Sequence, residues 1–370
     1  MGQAIRPGDR IEEERLSHLN PQQREALIDV INQFPDVFSD SPGFCDVVEH
    51  EINVSSDFKP KLIRAYRVPE TLKQEIERQV DVLLKLGFIV PSKSPMASGV
   101  MCVVKPDKTI RMAYDYRYVN SHTVCDAFPM PNLTDVMHRV GKGRFITVTD
   151  AKSGYWQLKT KPEHRWLTAF ATHHGLWEWT RLPNGLKGAG NTFVRAVQMI
   201  LQPVRDHSVD DLATFSNDFS SHLVHFKRFL EVIRKAGLTL SLKKCSFAKI
   251  EVKYLGHITG SGKYRPDPQR LQAVGGMKPP STKKQLQSVL GLFNYYRDYV
   301  PNFAAIAKPL TDLTAQRKPK LLIWGESEQR AYELLKDKIC HSPVLAVPQP
   351  GKPFLLYTDA SEIAVGCQLA

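Results

Sequence analysis

A chain of 370 residues, 42% hydrophobic and 24% charged, is long and apolar enough for one large core or a few modest ones. This excludes a disordered tail, a collagen-like repeat and a small disulfide scaffold. The net charge is +12, and residues 227–284 hold 14 basic against 3 acidic side chains, so nearly all the excess lies in one segment. Such a strip suits a polyanion, although a merely solvated lysine-rich face gives the same pattern. Six cysteines (Cys45, Cys102, Cys125, Cys245, Cys340, Cys367) form no CxxC pair, and reduced thiols are expected. The opening MGQAIRPGDRIEEE lacks the apolar stretch of a signal peptide, and no run is apolar enough to span a membrane. The expected location is therefore intracellular, in cytoplasm or nucleus.

In chain order, the spacing predicts a helix over residues 20–34, with Leu27, Val30 and Ile31 on one face, then polar connecting chain. A stronger helix begins at Pro69. Leu72, Ile76, Val80, Leu83 and Leu84 share its face, and Gly87 ends it. Strands are predicted over 99–104, 111–120 and 144–151. The glycine-punctuated LPNGLKGAGNTFVRAV leads into a helix over 192–201, and a further helix over 222–236 stops at Gly237. Pro266, Pro268, Pro279 and Pro280 mark a linker. Residues 283–303 and 326–339 are helical in period, and FLLYTDASEIAVGCQLA is a strand without a closing element. The class is α+β.

Three carboxylates stand out. Asp150 ends the strand RFITVT. Asp210 and Asp211 are adjacent in HSVDDLATFS, and residues 212–215 can form the return strand of a hairpin with that pair at its tip. Carboxylates from two strand ends make a hard, oxygen-rich site for Mg²⁺ or Mn²⁺, suited to two-metal phosphoryl transfer. An Asp-Asp pair in isolation is more often a turn former.

The order RMAYDYRYVN, VTDAKSGYWQL, LPNGLKGAGNTF, VDDLATFS, HLVHFKRFLEVIRKAGLTLSLKKCSF, VKYLGHI resembles the reverse transcriptase of Gypsy-type LTR retrotransposons. HLNPQQREALIDVINQFPDVFSDSPG resembles the lead-in to that polymerase. LQSVLGLFNYYRDYVPNFAAIAKPL resembles the connection region, and FLLYTDASEIAVG the first strand of RNase H. The resemblance implies a right-hand polymerase. Residues 1–60 would be lead-in, 61–260 fingers and palm, 261–320 thumb and connection start, and 321–370 connection and truncated RNase H.

It further implies RNA-directed DNA polymerase activity with Asp150, Asp210 and Asp211 as catalytic and metal-binding residues. Arg111, and more loosely Lys105, would meet the triphosphate of an incoming dNTP. Tyr155 would block a ribose 2′-hydroxyl, while Asn184 and Gly185 would shape the nucleotide pocket. Lys243 or Lys244 would lie near phosphate in the basic strip that carries the template–primer duplex. Asp359 would be a vestigial RNase H ligand, and no RNase H activity is expected from the chain as it stands.

Two departures bear on activity. Ser208 stands where the family has Tyr, in a segment (193–210) shorter and more polar than usual. Asn184 replaces an aromatic residue in LPNGL. The expectation is a loop or truncated strand before Asp210 and lowered polymerase activity. The alternative is a remnant that only binds nucleic acid. Asn217 and Asp218 are expected to form an ordinary loop or helix cap.

Overall fold

Asn20 caps the first helix, α1 (Pro21–Asn32). Its side chain accepts from the Gln23 N–H, the Gln23 side chain returns to the Asn20 backbone, and Pro21 takes the first helical position. The computed structural model describes residues 6–63, 66, 68–104, 109–129, 131–209, 212–315, 321–347, 356–360 and 365–369. It divides into two units, Met1–Val252 and Lys253–Ala370.

In the first unit, β1 (Cys45–His50) precedes α2 (Glu70–Lys85), which stops beside Gly87 at φ +67°. Then follow β2 (Ile89–Pro91), β3 (Ser98–Val104), β4 (Ile110–Asp115), α3 (Arg117–His122), α4 (Leu133–Gly141) and β5 (Phe145–Val148). After β6 (Leu158–Thr160) come β7 (Phe170–Thr172), β8 (Gly175–Trp179) and α5 (Ala189–Leu201). The unit closes with β9 (Ser208–Val209), β10 (Ala213–Ser216), α6 (Phe219–Lys235) and β11 (Ser246–Lys249). A five-stranded sheet runs β2-β8-β7-β3-β4 and a four-stranded sheet β11-β5-β10-β9, while β1 pairs in parallel with β6.

Two cores hold this unit. Ile76, Val80 and Leu83 of α2 bury against Phe88, Val100, Met112, Phe170 and Trp179 of the larger sheet. The main core joins α5 and α6, through Val197, Ile200, Phe226, Phe229 and Ile233, to Leu16, Leu27, Ile31, Phe34 and Phe38. The segment before residue 60 thus contributes core as well as connection. Its aromatics Phe34 and Phe38 are each 2% exposed, which removes their full apolar area from water.

The strand expected over 111–120 stops at Asp115. There the carboxylate accepts from the Arg117 N–H (3.2 Å) and binds the Arg117 guanidinium twice (2.7 Å each), which turns the chain into α3. Those bonds, with the Tyr66 hydroxyl, hold the Asp115 carboxyl well below the usual carboxylate range.

In the second unit β12 (Val252–Tyr254), β13 (His257–Gly260) and β14 (Lys263–Pro266) form a sheet in the order β12-β13-β14-β15, completed by β15 (Leu345–Ala346). Between them lie α7 (Pro268–Gly275), α8 (Lys283–Tyr295), α9 (Phe303–Asp312) and α10 (Glu326–Cys340), with Tyr332 of α10 packed at a tilt on Phe293 of α8, 5.8 Å between ring centroids. The linker expected at the first prolines is absent. Pro266 ends β14 opposite His257, and Pro268 opens α7 behind the Asp267 cap, because a proline costs nothing where its missing N–H would be unpaired anyway. The final strand also has a partner: β16 (Leu356–Ala360) pairs antiparallel with β17 (Val365–Leu369).

The α+β expectation holds. Among the described residues no helix is long and apolar enough to cross a membrane, and Cys45, Cys102, Cys125, Cys245 and Cys340 are free thiols.

Candidate active site

Strand β5 is pinned on both sides. It lies between β10 and β11, with Ile146 and Thr147 fully buried. The Thr147 hydroxyl accepts from the Ala248 N–H (2.9 Å) and meets His222 Nε2 (2.7 Å). Past the strand, the Thr149 N–H and hydroxyl both donate to the Leu212 carbonyl, at 3.0 and 2.8 Å. The Asp150 carbonyl accepts from the Ser241 N–H (2.8 Å), and the Lys152 N–H donates to the Thr239 carbonyl (3.0 Å). Buried Gln157 closes the arrangement: its amide donates to the Lys152 and Thr239 carbonyls (2.9 Å each) and accepts from the Thr239 N–H (2.7 Å). Backbone bonds therefore fix Asp150 on both flanks, while its side chain stays 45% exposed.

Asp150 faces a cleft of about 870 Å³. Five residues that the sequence singles out line it together: Arg111 from β4, Asp150, Tyr155, Asn184 and Lys244. Lys244 Nζ sits 3.1 Å from the Asp150 carboxylate. Both groups are substantially exposed, so the pair is worth at most about 1 kcal/mol and is readily exchanged for another cation. Tyr155 belongs to a short 3₁₀ turn (Gly154–Gln157) and packs edge-on against Phe193 of α5 at 5.7 Å. Gly154 makes this possible, because a Cβ there would lie 2.8 Å from the Phe193 ring.

Of the other candidates among the described residues, Gly185 and Lys243 are not in the lining. Gly185 adopts φ +98°, and a Cβ would meet nothing closer than 3.7 Å, so its backbone conformation rather than crowding calls for glycine. Lys243 is an exposed neighbour of Lys244 in the turn Leu242–Lys244. Lys105, Asp210 and Asp211 lie outside the described residues, and Asp359 sits in β16, its backbone paired with Gly366. Asp218 caps α6, accepting from the Ser221 N–H (2.8 Å) and hydroxyl (2.7 Å), which lowers its pKa.

Other wall residues escape sequence reasoning. Arg78, Gln79, Val82 and Leu83 of α2, with Leu86 just past its end, form one side, and Tyr114, Trp156, Gly190, Phe193 and Val194 contribute elsewhere. A signal exists in α2: Val82 and Leu86, four residues apart, are each 43% exposed beside a separate buried stripe.

The approach to Asp210 is the short strand expected. β9 has two residues, pairing Val209 with Ala213 and Ser208 with Thr214. Its polar residues are only partly satisfied, for the buried Nε2 of His207 has no hydrogen-bond partner among the described residues. Ser208, 2% exposed, shares a hydroxyl contact with Thr214 (3.2 Å), and Arg139 donates to the Arg205 and Ser208 carbonyls. His207 stacks on His225 at 4.0 Å, and burial pushes its pKa down to about 4.

Residues 103–259 match the family model "Reverse transcriptase (RNA-dependent DNA polymerase)", and residues 324–370 match "RNase H-like domain found in reverse transcriptase". The chain is 33% identical, over 94% of its length, to the Pol polyprotein of the Drosophila melanogaster transposon opus, and 33% identical over 96% to that of transposon 297. It spans 37% and 35% of those proteins. Among solved structures, a foamy viral protease-reverse transcriptase in complex with double-stranded DNA superposes with a TM-score of 0.83 at 25% identity, covering 94% of this chain and 63% of that one. With a reverse transcriptase domain followed by an RNase H-like segment, this chain belongs with the Pol polyproteins of gypsy-type LTR transposons.

Proposed function

We propose that the chain is an RNA-directed DNA polymerase whose chemistry takes place in the cleft at Asp150. The observation that carries this reading is the convergence of Arg111, Asp150, Tyr155, Asn184 and Lys244 on one cavity from segments up to 133 positions apart, between Arg111 and Lys244. The Asp150 carboxylate is a hard oxygen donor already beside a cation, so it fits a divalent metal. Asp150 would hold Mg²⁺ or Mn²⁺ together with Asp210, Asp211 supporting. Leu212 bonded to Thr149, and Val209 paired to Ala213, favour this by keeping both flanks of that pair near the end of β5. The chemistry supplied there by a bound cation would be activation of the attacking hydroxyl and neutralisation of charge on the leaving oxygen.

The protein's own groups do the rest. Arg111 binds the triphosphate and stabilises charge that develops on pyrophosphate. The Tyr155 ring, braced by Phe193, excludes a ribose 2′-hydroxyl and selects deoxynucleotides. Asn184 borders the base. Lys244, 3.1 Å from the Asp150 carboxylate, would yield that oxygen to a cation and offer its own charge to phosphate. The basic strip tracks the backbone of an RNA or DNA template–primer duplex without reading sequence; the foamy viral relatives, solved with double-stranded DNA and with an RNA/DNA hybrid, support that partner. In this reading residues 61–260 are fingers and palm and 261–320 thumb and connection.

The two-residue β9 favours a second reading, a duplex binder with little turnover. Primer extension on a homopolymer RNA template with Mg²⁺ or Mn²⁺ decides between them. Extension supports the polymerase. Salt-dependent duplex binding without extension supports the binder.

A further inference from the structure

The β7–β8 hairpin turns on two residues only, His173 and His174, between the paired Thr172 and Gly175. The turn sets the imidazoles side by side, 4.2 Å between ring centroids. Both Nε2 atoms are aimed at the same oxygen of Glu77 on α2: His173 lies 2.8 Å from Oε1, and His174 contacts it as well. Among the described residues these histidines are the ion-pair partners of Glu77, and no lysine or arginine competes for its carboxylate. The three ligating atoms lie within 4.8 Å of one another.

We propose that Glu77, His173 and His174 form a binding site for a borderline divalent cation such as Zn²⁺, clamping the β7–β8 turn to α2. Two imidazole nitrogens and one carboxylate oxygen are a donor set that favours Zn²⁺ over Mg²⁺. Bond lengths of about 2.0–2.2 Å to these ligands need only a small inward movement of the exposed rings. Each histidine gives up its contact with Glu77 and coordinates through the Nε2 lone pair as the neutral ring with its one proton on Nδ1; the Nε2 proton passes to solvent, and a ring that was neutral takes up a proton at Nδ1 in exchange. With three protein ligands the fourth position goes to water. The clamp lies one residue from Arg78, which with Gln79, Val82 and Leu86 forms the α2 wall of the Asp150 cleft. Metal binding therefore ties the helix that carries that wall to the β7–β8 turn.

The test uses the full, tag-free chain, titrated calorimetrically with Zn²⁺ in excess Mg²⁺, alongside Asp150→Asn. One equivalent of Zn²⁺ should bind both proteins and raise their melting temperatures. Affinity should fall at least tenfold in His173→Ala/His174→Ala and in Glu77→Gln. His174→Gln, a change at an exposed turn, guards against misfolding of the double variant and should also weaken binding. Failure of the parent chain to bind Zn²⁺, binding unchanged in the histidine variants, or binding lost in Asp150→Asn would each overturn the proposal.

Discussion

Two strands of one sheet, β5 leading to Asp150 and β9 leading to Asp210, are built on different principles. β5 is interior and secured along its length by β10, β11, Thr147 and Thr149, so Asp150 is delivered on a rigid stem. β9 is at the edge, two residues long, and its approach is polar. An interior strand has both faces and both edges committed, so it must be apolar or internally bonded. At this edge Arg205 stays exposed, Arg139 donates to the Arg205 and Ser208 carbonyls, Ser208 meets the Thr214 hydroxyl, and His207 stacks on His225. A polar approach to Asp210 therefore leaves the surrounding sheet intact.

The comparison can be broken most severely at Asp150. Asp150→Asn should lower primer extension on the order of 10²–10³-fold with an unchanged melting curve, and an equal loss of stability would mean that the residue is structural. Next, Ile146→Ala in β5 should cost about 2–5 kcal/mol in urea unfolding, against about 1 kcal/mol for Ser208→Ala in β9. Equal costs would erase the distinction between the strands.

Acid sharpens it further. Burial pushes His222, bonded to Thr147, down to about 3, and His50 and His207 to about 4, from an ordinary 6.5. The unfolded chain takes up protons that the folded chain refuses, so stability is intact above pH 6.5 and falls as pH drops toward 4. The slope is at most about 1.4 kcal/mol per pH unit for each histidine. Unfolding midpoints between pH 7 and 5 should show it. His222→Asn and His207→Asn should each flatten the slope by a similar amount in that window, since both folded values lie below 5.

The smallest effect is expected at Asp218→Asn. Asparagine caps a helix nearly as well as aspartate, so extension should stay within a few-fold of the parent; a loss matching that of Asp150→Asn would shift the catalytic assignment.

Local rules reach far along this chain. The capping box at Asn20, the apolar stripe of α2 and the stop at Gly237 depend on residues within a turn or two, and so are readable in order. The carboxylate Asp150 at a strand end is legible for the same reason, and the motif order supplies its companions. Tertiary structure alone settles what depends on distant partners. Asp115 breaks the alternating strand through Arg117 and Tyr66, and Pro266 and Pro268 join regular elements instead of a linker. The wall of α2, the separation of Lys244 from Lys243, and the meeting of Glu77 with His173 and His174 across 96 positions are likewise invisible in sequence. Periodicity tells a side chain which face it occupies, but only packing brings another element to that face.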